Sequence, residues 1–209
     1  MENIVALHRR AVTGLRAVVT AVTPADLTRP TPCAGWDLRA LFEHMTGQDR
    51  GFAAAVRGAA TGEDVPASAF AAARPLGPDP AAEVAVTAED VAAAFAGAAG
   101  LERPVLLAEF DARLPLHVVV GMHLVDTVVH GWDVAAALGT RAAYEAALDP
   151  DVVAAALSIA ERIPDDGSRE APGAPFGRVV DVPAGADGWE RTLRLLGRDP
   201  AWSAAEAPR

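Results

Sequence analysis

Cysteine and lysine are the residues that this chain most clearly lacks. Its 209 residues include a single cysteine, Cys33, and all 18 basic residues are arginines. A single cysteine excludes an intramolecular disulfide, which favours a reducing compartment and predicts a cytoplasmic protein. The missing lysines, together with abundant alanine and proline, indicate a high-GC coding bias rather than selection for a partner.

Positive charge and long apolar runs are also scarce. The formal net charge of -10 disfavours nucleic acid as a partner, because phosphate binding needs a basic face. No apolar run reaches the roughly 20 residues that span a bilayer, so no membrane partner is expected. The N-terminal ten residues show no apolar segment behind a basic start, which argues against a secretory signal. The composition leaves a monomer and a homodimer equally open.

The hydrophobic pattern predicts a mainly α-helical chain. Apolar side chains repeat at helical spacing in several segments, and Asp, Thr, Pro and Gly mark their ends. The first predicted helix covers residues 2–22, and the second is capped by Asp37 and runs to about Arg57. The third is predicted at Ala88–Gly100 with Thr87 as its cap. The fourth runs from Pro115 to near Gly139, and the fifth from Asp149-Pro150 to before Pro164. The Gly- and Pro-rich residues 58–86 are predicted to form a long loop, which would suit a lid, and residues 104–114 are ambiguous.

The character of the sequence changes near residue 164. Residues 164–188 are rich in Pro, Gly and Asp, with Gly177–Val182 as a candidate short strand and a small final helix around Trp189, Leu193 and Leu196. These features predict an antiparallel helical bundle over 1–163 and a small mixed α/β appendage over 164–209.

The fourth predicted helix carries three possible metal ligands on one stripe. They are His123, Asp126 and His130, at spacings of three and four residues. Because Asp126 and His130 lie one turn apart and about 40° apart around the helix, both can reach one ion. His123 and His130 are about 10 Å apart along the axis, so they are unlikely to share it. His44, on the second helix, is the candidate third ligand, and two histidines with one carboxylate form an open, catalytic type of metal set.

Each of these residues also has a structural interpretation. An Asp-x3-His pair arises often by chance and can be a buried hydrogen bond. His8 and Trp132 are predicted core residues and His117 an exposed one, while Cys33 has no nearby cation in sequence to lower its pKa. His123 is then either an alternative ligand or a pocket residue, and Asp133 either orients a ligand histidine or pairs locally.

Two glycines follow His44 on the same face of its helix. Gly47 and Gly51 stand three and seven residues after it. Their missing side chains would either clear room for a ligand beside the metal or let two helices pack closely.

Four motifs in order carry a resemblance to a known family. They are Thr31-Pro-Cys-Ala-Gly-Trp36, Leu41-Phe-Glu-His44-Met45, Asp126-x3-His130-Gly-Trp-Asp133-Val-Ala135 and Gly197-Arg-Asp-Pro200. Together they resemble the mycothiol-dependent maleylpyruvate isomerase-like branch of the DinB superfamily, over nearly the whole chain.

The resemblance implies a four-helix bundle with a small C-terminal α/β piece. It also implies a divalent metal, usually zinc, on His44, Asp126 and His130, although iron or nickel would suit the same ligands. The maleylpyruvate isomerase has Glu where this chain has Asp126, which shifts the carboxylate back by about one methylene.

The reaction implied is thiol chemistry. A metal-coordinated thiol of mycothiol would become a thiolate and attack an electrophilic substrate, giving S-transfer or isomerisation. Arg198 is a candidate partner for an acidic group of thiol or substrate, and a structural ion pair is its alternative role. A metal-dependent hydrolase or cyclisation enzyme that needs no thiol, and a metal- or small-molecule-binding protein without turnover, are the two other functions that the residues allow.

Overall fold

Seven α-helices and one short hairpin make up the computed structural model, which describes residues 3–33, 35–71, 75–170, 174 and 176–204. The helices are α1 (Ile4–Val19), α2 (Leu38–Thr61), α3 (Pro80–Gly97), α4 (Leu116–Ala137), α5 (Arg141–Ala146), α6 (Pro150–Ala160) and α7 (Gly188–Leu195). The strands β1 (Val105–Leu107) and β2 (Ala112–Leu114) pair antiparallel with Leu106 opposite Arg113. The mainly α-helical fold predicted from the sequence is confirmed.

Helices α1 to α4 form the bundle, and α4 is its central element. α1 packs against α3 and α4, α2 packs against the same two helices, and α6 covers another side of α4. From Val119 to Ala137 nearly every side chain of α4 is buried. A helix that is apolar around its whole circumference can be stable only inside a core, so the polar side chains in this stretch of α4 are carried towards the interior.

Side-chain caps fix the starts of several helices. Asp37 accepts a hydrogen bond from the backbone N–H of Ala40 at the start of α2, as the sequence predicts. Asp149 caps α6 in the same way, with Pro150 at the first helical position. A carboxylate at this position satisfies one of the free N–H groups of the first turn, which stabilises the helix by about 1 kcal/mol.

The third helix begins a full two turns earlier than the sequence pattern suggests. α3 is capped by Asp79, so the prediction of a Thr87 cap is wrong and Thr87 lies within the helix. The loop predicted over 58–86 is correspondingly shorter, since α2 continues to Thr61 and ends at Gly62 with a φ of 90°. Alanine-rich segments have weak amphipathic periodicity, so the pattern alone does not separate them from a loop.

The C-terminal segment contains no strand in its described part. Residues 177–182 form irregular backbone whose N–H of Val180 donates to the carbonyl of Arg194 without any strand pairing, so the prediction of a strand at Gly177–Val182 is wrong. The segment folds back onto the bundle instead, where Trp189, Leu193 and Leu196 join the same hydrophobic cluster as α1 and α4. Gly197, with a φ of 78°, follows the end of α7 as the sequence predicts.

Within the described residues, we find no helix with both the length and the apolar character needed to cross a membrane.

Candidate metal centre

Two helices bring three potential metal ligands together in the bundle. Nε2 of His130 lies 3.2 Å from Oδ1 of Asp126, one turn earlier on α4. Nε2 of His44, on α2, lies 3.5 Å from the same oxygen. One donor atom from each residue falls within 4.8 Å of the others, and among the described residues this is the one such group of His, Cys, Asp or Glu. The sequence-based grouping of these residues therefore matches their positions in the fold.

The two imidazole nitrogens at this centre have no hydrogen-bond partner. Nε2 of His44 and Nε2 of His130 are both buried and unsatisfied, although a carboxylate oxygen lies within 3.5 Å of each. A buried polar atom without a partner costs about 1–3 kcal/mol, so such atoms call for an explanation. Two imidazoles and a carboxylate with open positions are a donor set that suits a divalent transition-metal ion.

A second carboxylate fixes the orientation of His130. Nδ1 of His130 lies 2.9 Å from Oδ2 of Asp133, which is fully buried. Donation of the Nδ1 proton to this carboxylate leaves the lone pair on Nε2, which faces Asp126 and His44. Asp133 is in turn held by Arg198, whose Nη2 lies 2.8 Å from the same oxygen. Asp133 thus contacts His130 and not the group of three donors itself.

The ionisable side chains at the centre shift one another's pKa values. Burial lowers the pKa of His130, but the negative charges of Asp126 and Asp133, together with the hydrogen bond to Asp133, outweigh burial and raise this pKa to about 9. Burial acts to raise the pKa of Asp126, and the neighbouring His130 and His44 lower it to well below its usual range. The site therefore stabilises a cation between these side chains, either a proton or a metal ion.

A cavity opens beside this centre. It has a volume of about 520 Å³ and is lined by His44 and Asp126 at one end, with Phe52, Phe176 and Glu109 among its other walls. The ring of Trp36 lies 4.8 Å from the ring of His44, centre to centre, and so covers another side of the centre. The volume is in the range of small-molecule sites, and the mostly apolar walls leave few polar groups to orient a ligand.

His123 belongs to a different polar cluster. Its Nδ1 lies 2.9 Å from Nε2 of His8 on α1, and its Nε2 lies 3.1 Å from Oδ1 of Asp49 on α2. The hydroxyl of Thr87 on α3 donates to the other oxygen of Asp49 at 2.6 Å. The structure therefore places His123 with His8 and Asp49, and does not bring it to the three donors.

The two glycines after His44 do not both open a space. Gly47 is buried in α2. A Cβ at Gly51 would lie 2.8 Å from the Cα of Phe70 and would overlap its ring, so Gly51 lets the loop after α2 pack closely. Of the two roles predicted from the sequence, close packing fits Gly51. Its neighbour is a loop residue, Phe70, and not a second helix as predicted.

Gly131, next to His130 in the motif, also serves packing. A Cβ there would lie 2.9 Å from Cζ of Tyr144, whose hydroxyl donates to the carbonyl of Val128 at 2.9 Å. The neighbouring Trp132 is fully buried and donates from Nε1 to Glu145 at 2.7 Å, which confirms it as a core residue.

Three other predictions from the sequence are met. His8 is fully buried in the core and His117 is exposed. Cys33 is buried, and burial, reinforced by the charges of Asp133 and Asp126, raises the pKa of its thiol to about 12 despite the nearby Arg198. A thiol held in its neutral form is a poor nucleophile, so Cys33 gives no sign of a reactive role.

Several residues around the centre escaped the sequence analysis. Phe176 and Glu109 lie in segments without clear periodicity, so no pattern marked them. Gln48 had a signal that was not used: it stands four residues after His44 on α2 and therefore on the same helix face. In the separate cluster around His123, the pairing of Asp49 with Thr87 had no signal in the sequence, because it depends on the contact between α2 and α3.

Comparison with known proteins identifies the family of this chain. The model of the family described as the mycothiol maleylpyruvate isomerase N-terminal domain matches residues 8–135, which include His44, Asp126 and His130. Uncharacterized proteins of Mycobacterium tuberculosis strains CDC 1551 / Oshkosh and H37Rv are each 30% identical to the chain over 196 residues, covering 91% of this chain and 95% of theirs. No solved structure matched significantly. The match covers more than half of the chain, and the chain therefore belongs to the mycothiol maleylpyruvate isomerase N-terminal domain family, a DinB-like family.

Proposed function

We propose that this protein is a metal-dependent enzyme that activates a small-molecule thiol of the mycothiol type. The activated thiol would either be transferred to an electrophilic substrate or catalyse the isomerisation of that substrate. His44, Asp126 and His130 would hold one divalent ion, with zinc expected and iron or nickel as alternatives. The observation that carries the proposal is the pair of buried, unpartnered Nε2 atoms that face one carboxylate oxygen.

The chain's own residues divide the work at this centre. Asp133 holds the proton on Nδ1 of His130, which keeps Nε2 free to coordinate. Trp36 and Phe176 flank the imidazoles of His44 and His130 and limit the access of water. A divalent ion bound there would supply a lowered pKa for a coordinated thiol, so that a nucleophile forms near neutral pH.

Family membership supports the thiol part of the proposal. The family takes its name from an enzyme that uses mycothiol, while the two relatives found in Mycobacterium tuberculosis have no assigned function. The cavity beside His44 and Asp126 has room for a thiol and a small second substrate.

The first experiment measures metal by plasma mass spectrometry on tag-free wild-type protein and on the His130→Ala and His44→Ala variants. We expect about one divalent ion per wild-type chain and loss of it in both variants. His117→Ala is the matched control, since it removes an exposed histidine of α4 and should keep the ion. A wild-type protein that stays metal-free after reconstitution would overturn the metal site.

Thiol dependence is then tested with a fluorogenic alkylating electrophile and purified mycothiol. Turnover that requires both the thiol and an intact His130 supports the proposal. Turnover that persists without any thiol would overturn the thiol part and leave a metal-dependent hydrolase or rearrangement enzyme.

A further inference from the structure

We propose that the cavity beside His44 and Asp126 accepts a molecule with an apolar body and a protonated or quaternary amine, and that Glu109, one of its lining residues, selects the amine. This inference depends on the proposed function only in treating the bound molecule as a substrate. It is argued from the walls of the cavity, and those walls exist whether or not a metal is bound.

Three phenylalanine rings are part of the cavity wall. Phe52, Phe110 and Phe176 all line it, and Phe110 is 53% exposed, which is unusual for so large an apolar side chain. Among the described residues, Val86 is the only other large hydrophobic side chain with comparable exposure. Aromatic faces attract cations through the ring quadrupole, and aromatic cages are the usual binding sites of ammonium groups.

The carboxylate of Glu109, which lines the cavity, has no cationic partner among the residues that the structure describes. Glu109 lies in the turn between β1 and β2, and the hydrogen bond it receives, at 3.1 Å, comes from the neutral amide of Gln48. Partial removal from water raises the pKa of Glu109, and the charge of Asp126 adds to this effect, against the hydrogen bond from Gln48. No described Arg or His forms an ion pair with Glu109, so a cationic ligand would supply the missing partner.

The basic residue that lines the cavity is already committed. Arg169 donates to the backbone carbonyls of Ile163, Pro164, Gly177 and Leu195 at 2.6–3.0 Å, and it is only 7% exposed. A guanidinium has five N–H groups, so four of them are used to hold the C-terminal segment in place. Arg169 is therefore left with one N–H group for a ligand carboxylate, which would also share the cavity with the carboxylate of Glu109.

The charge of a bound divalent ion does not cancel this preference. Asp126 and a coordinated thiolate together would carry two negative charges, equal and opposite to those of the ion. Of the other charged residues that line the cavity, Arg169 has four of its N–H groups on backbone carbonyls, so Glu109 is the described charged side chain with acceptor capacity left for a ligand. A dicarboxylate substrate is disfavoured by the same arrangement.

The test compares three probes of one shape: phenylbutylamine, phenylbutanol and phenylbutanoate. Their dissociation constants are measured by calorimetry near neutral pH on wild-type protein, in both zinc-loaded and chelator-treated form. We expect the amine to bind most tightly and the carboxylate most weakly. In Glu109→Gln the affinity for the amine should fall about two- to fivefold, as expected for an ion pair at an exposed position, while the affinity for the alcohol stays constant.

Two variants make the result specific. Asp111→Asn removes a carboxylate from the same turn, outside the cavity, and should leave all three affinities unchanged; its φ of 48° suits Asn as well as Asp. Phe110→Leu keeps an apolar side chain but removes the ring face, so the amine should lose more affinity than the alcohol.

The inference is overturned if the carboxylate binds as tightly as the amine to chelator-treated protein, or if Glu109→Gln and Asp111→Asn affect the amine equally. Its failure is distinct from failure of the proposed function, which is read from metal content and thiol dependence. A protein without metal can still show the charge preference, and a metal enzyme can lack it.

Discussion

Nη2 of Arg198 lies 2.8 Å from Oδ2 of Asp133, and the two side chains are 2% and 0% exposed. Arg198 follows α7 in the C-terminal segment, beyond the residues 8–135 that match the family model, while Asp133 lies on α4 beside His130. The C-terminal segment thus supports the candidate metal centre through a buried ion pair, in addition to the contact of Phe176 with His130. Of the two roles considered for Arg198 from the sequence, its contacts fit the structural ion pair.

Arg198→Met should destabilise the fold strongly. Removal of the guanidinium leaves the Asp133 carboxylate buried without its cation, which costs about 3–5 kcal/mol in the free energy of unfolding. Urea denaturation of both proteins measures the difference. The control is Arg191→Met, which breaks the exposed pair of Arg191 with Glu161 on the surface of the same segment and should cost less than about 1 kcal/mol. Equal losses in the two variants would contradict the assignment.

Asp133→Asn should weaken metal binding without removing a ligand. The substitution weakens the hydrogen bond that sets the tautomer and basicity of His130, an effect that typically costs about 10–100-fold in metal affinity. Competition with a fluorescent chelator measures it, with circular dichroism to show that the variant is folded. Asp49→Asn is the matched control, because it neutralises another buried carboxylate of the bundle that contacts His123 instead. An equal loss in Asp49→Asn would show that the effect is general.

Acid should destabilise the protein through His8. Burial, helped by the charges of His123 and Arg9, lowers the pKa of His8 well below its usual 6.5. Below about pH 6.5 the unfolded chain therefore binds a proton that the folded chain does not. The free energy of unfolding consequently decreases as the pH is lowered, by at most about 1.4 kcal/mol per pH unit. The decrease continues until the pH reaches the pKa of His8 in the folded protein.

His8→Gln removes this titration, so its stability should fall less than that of the wild type between about pH 7.5 and about pH 5.5. Urea unfolding at both pH values gives the difference. His117→Gln removes an exposed histidine and should keep the wild-type slope. A wild-type slope in His8→Gln would contradict the prediction.

Two glycine-to-alanine substitutions should have opposite effects. At Gly51 a methyl group overlaps Phe70, including its backbone, so alanine should destabilise the protein by about 1–3 kcal/mol. At Gly14, in the exposed middle of α1, a Cβ meets nothing within 4 Å, so alanine should stabilise the protein by about 0.5–1 kcal/mol. Thermal unfolding of the two variants checks both signs, and stabilisation by alanine at Gly51 would refute the close packing.

Local sequence signals predicted most helices and two of the three candidate metal ligands. Asp126 and His130 share one helix, so their spacing alone places them on one line. Asp37 was predicted as a cap, and Asp149-Pro150 as the start of a helix, because such start signals act on N–H groups only two or three residues away. The start of α3 was missed, since its alanines give no contrast between a buried and an exposed face.

The amino-acid sequence by itself determined the mainly helical fold, the family and the Asp126–His130 pair, because these follow from short-range periodicity and motif order. Only the tertiary structure decided that His44 joins this pair while His123 turns to His8 and Asp49, and that Arg198 reaches Asp133 across 65 positions. Such contacts depend on how the helices pack against one another. Packing is a property of the whole core, which no local spacing encodes.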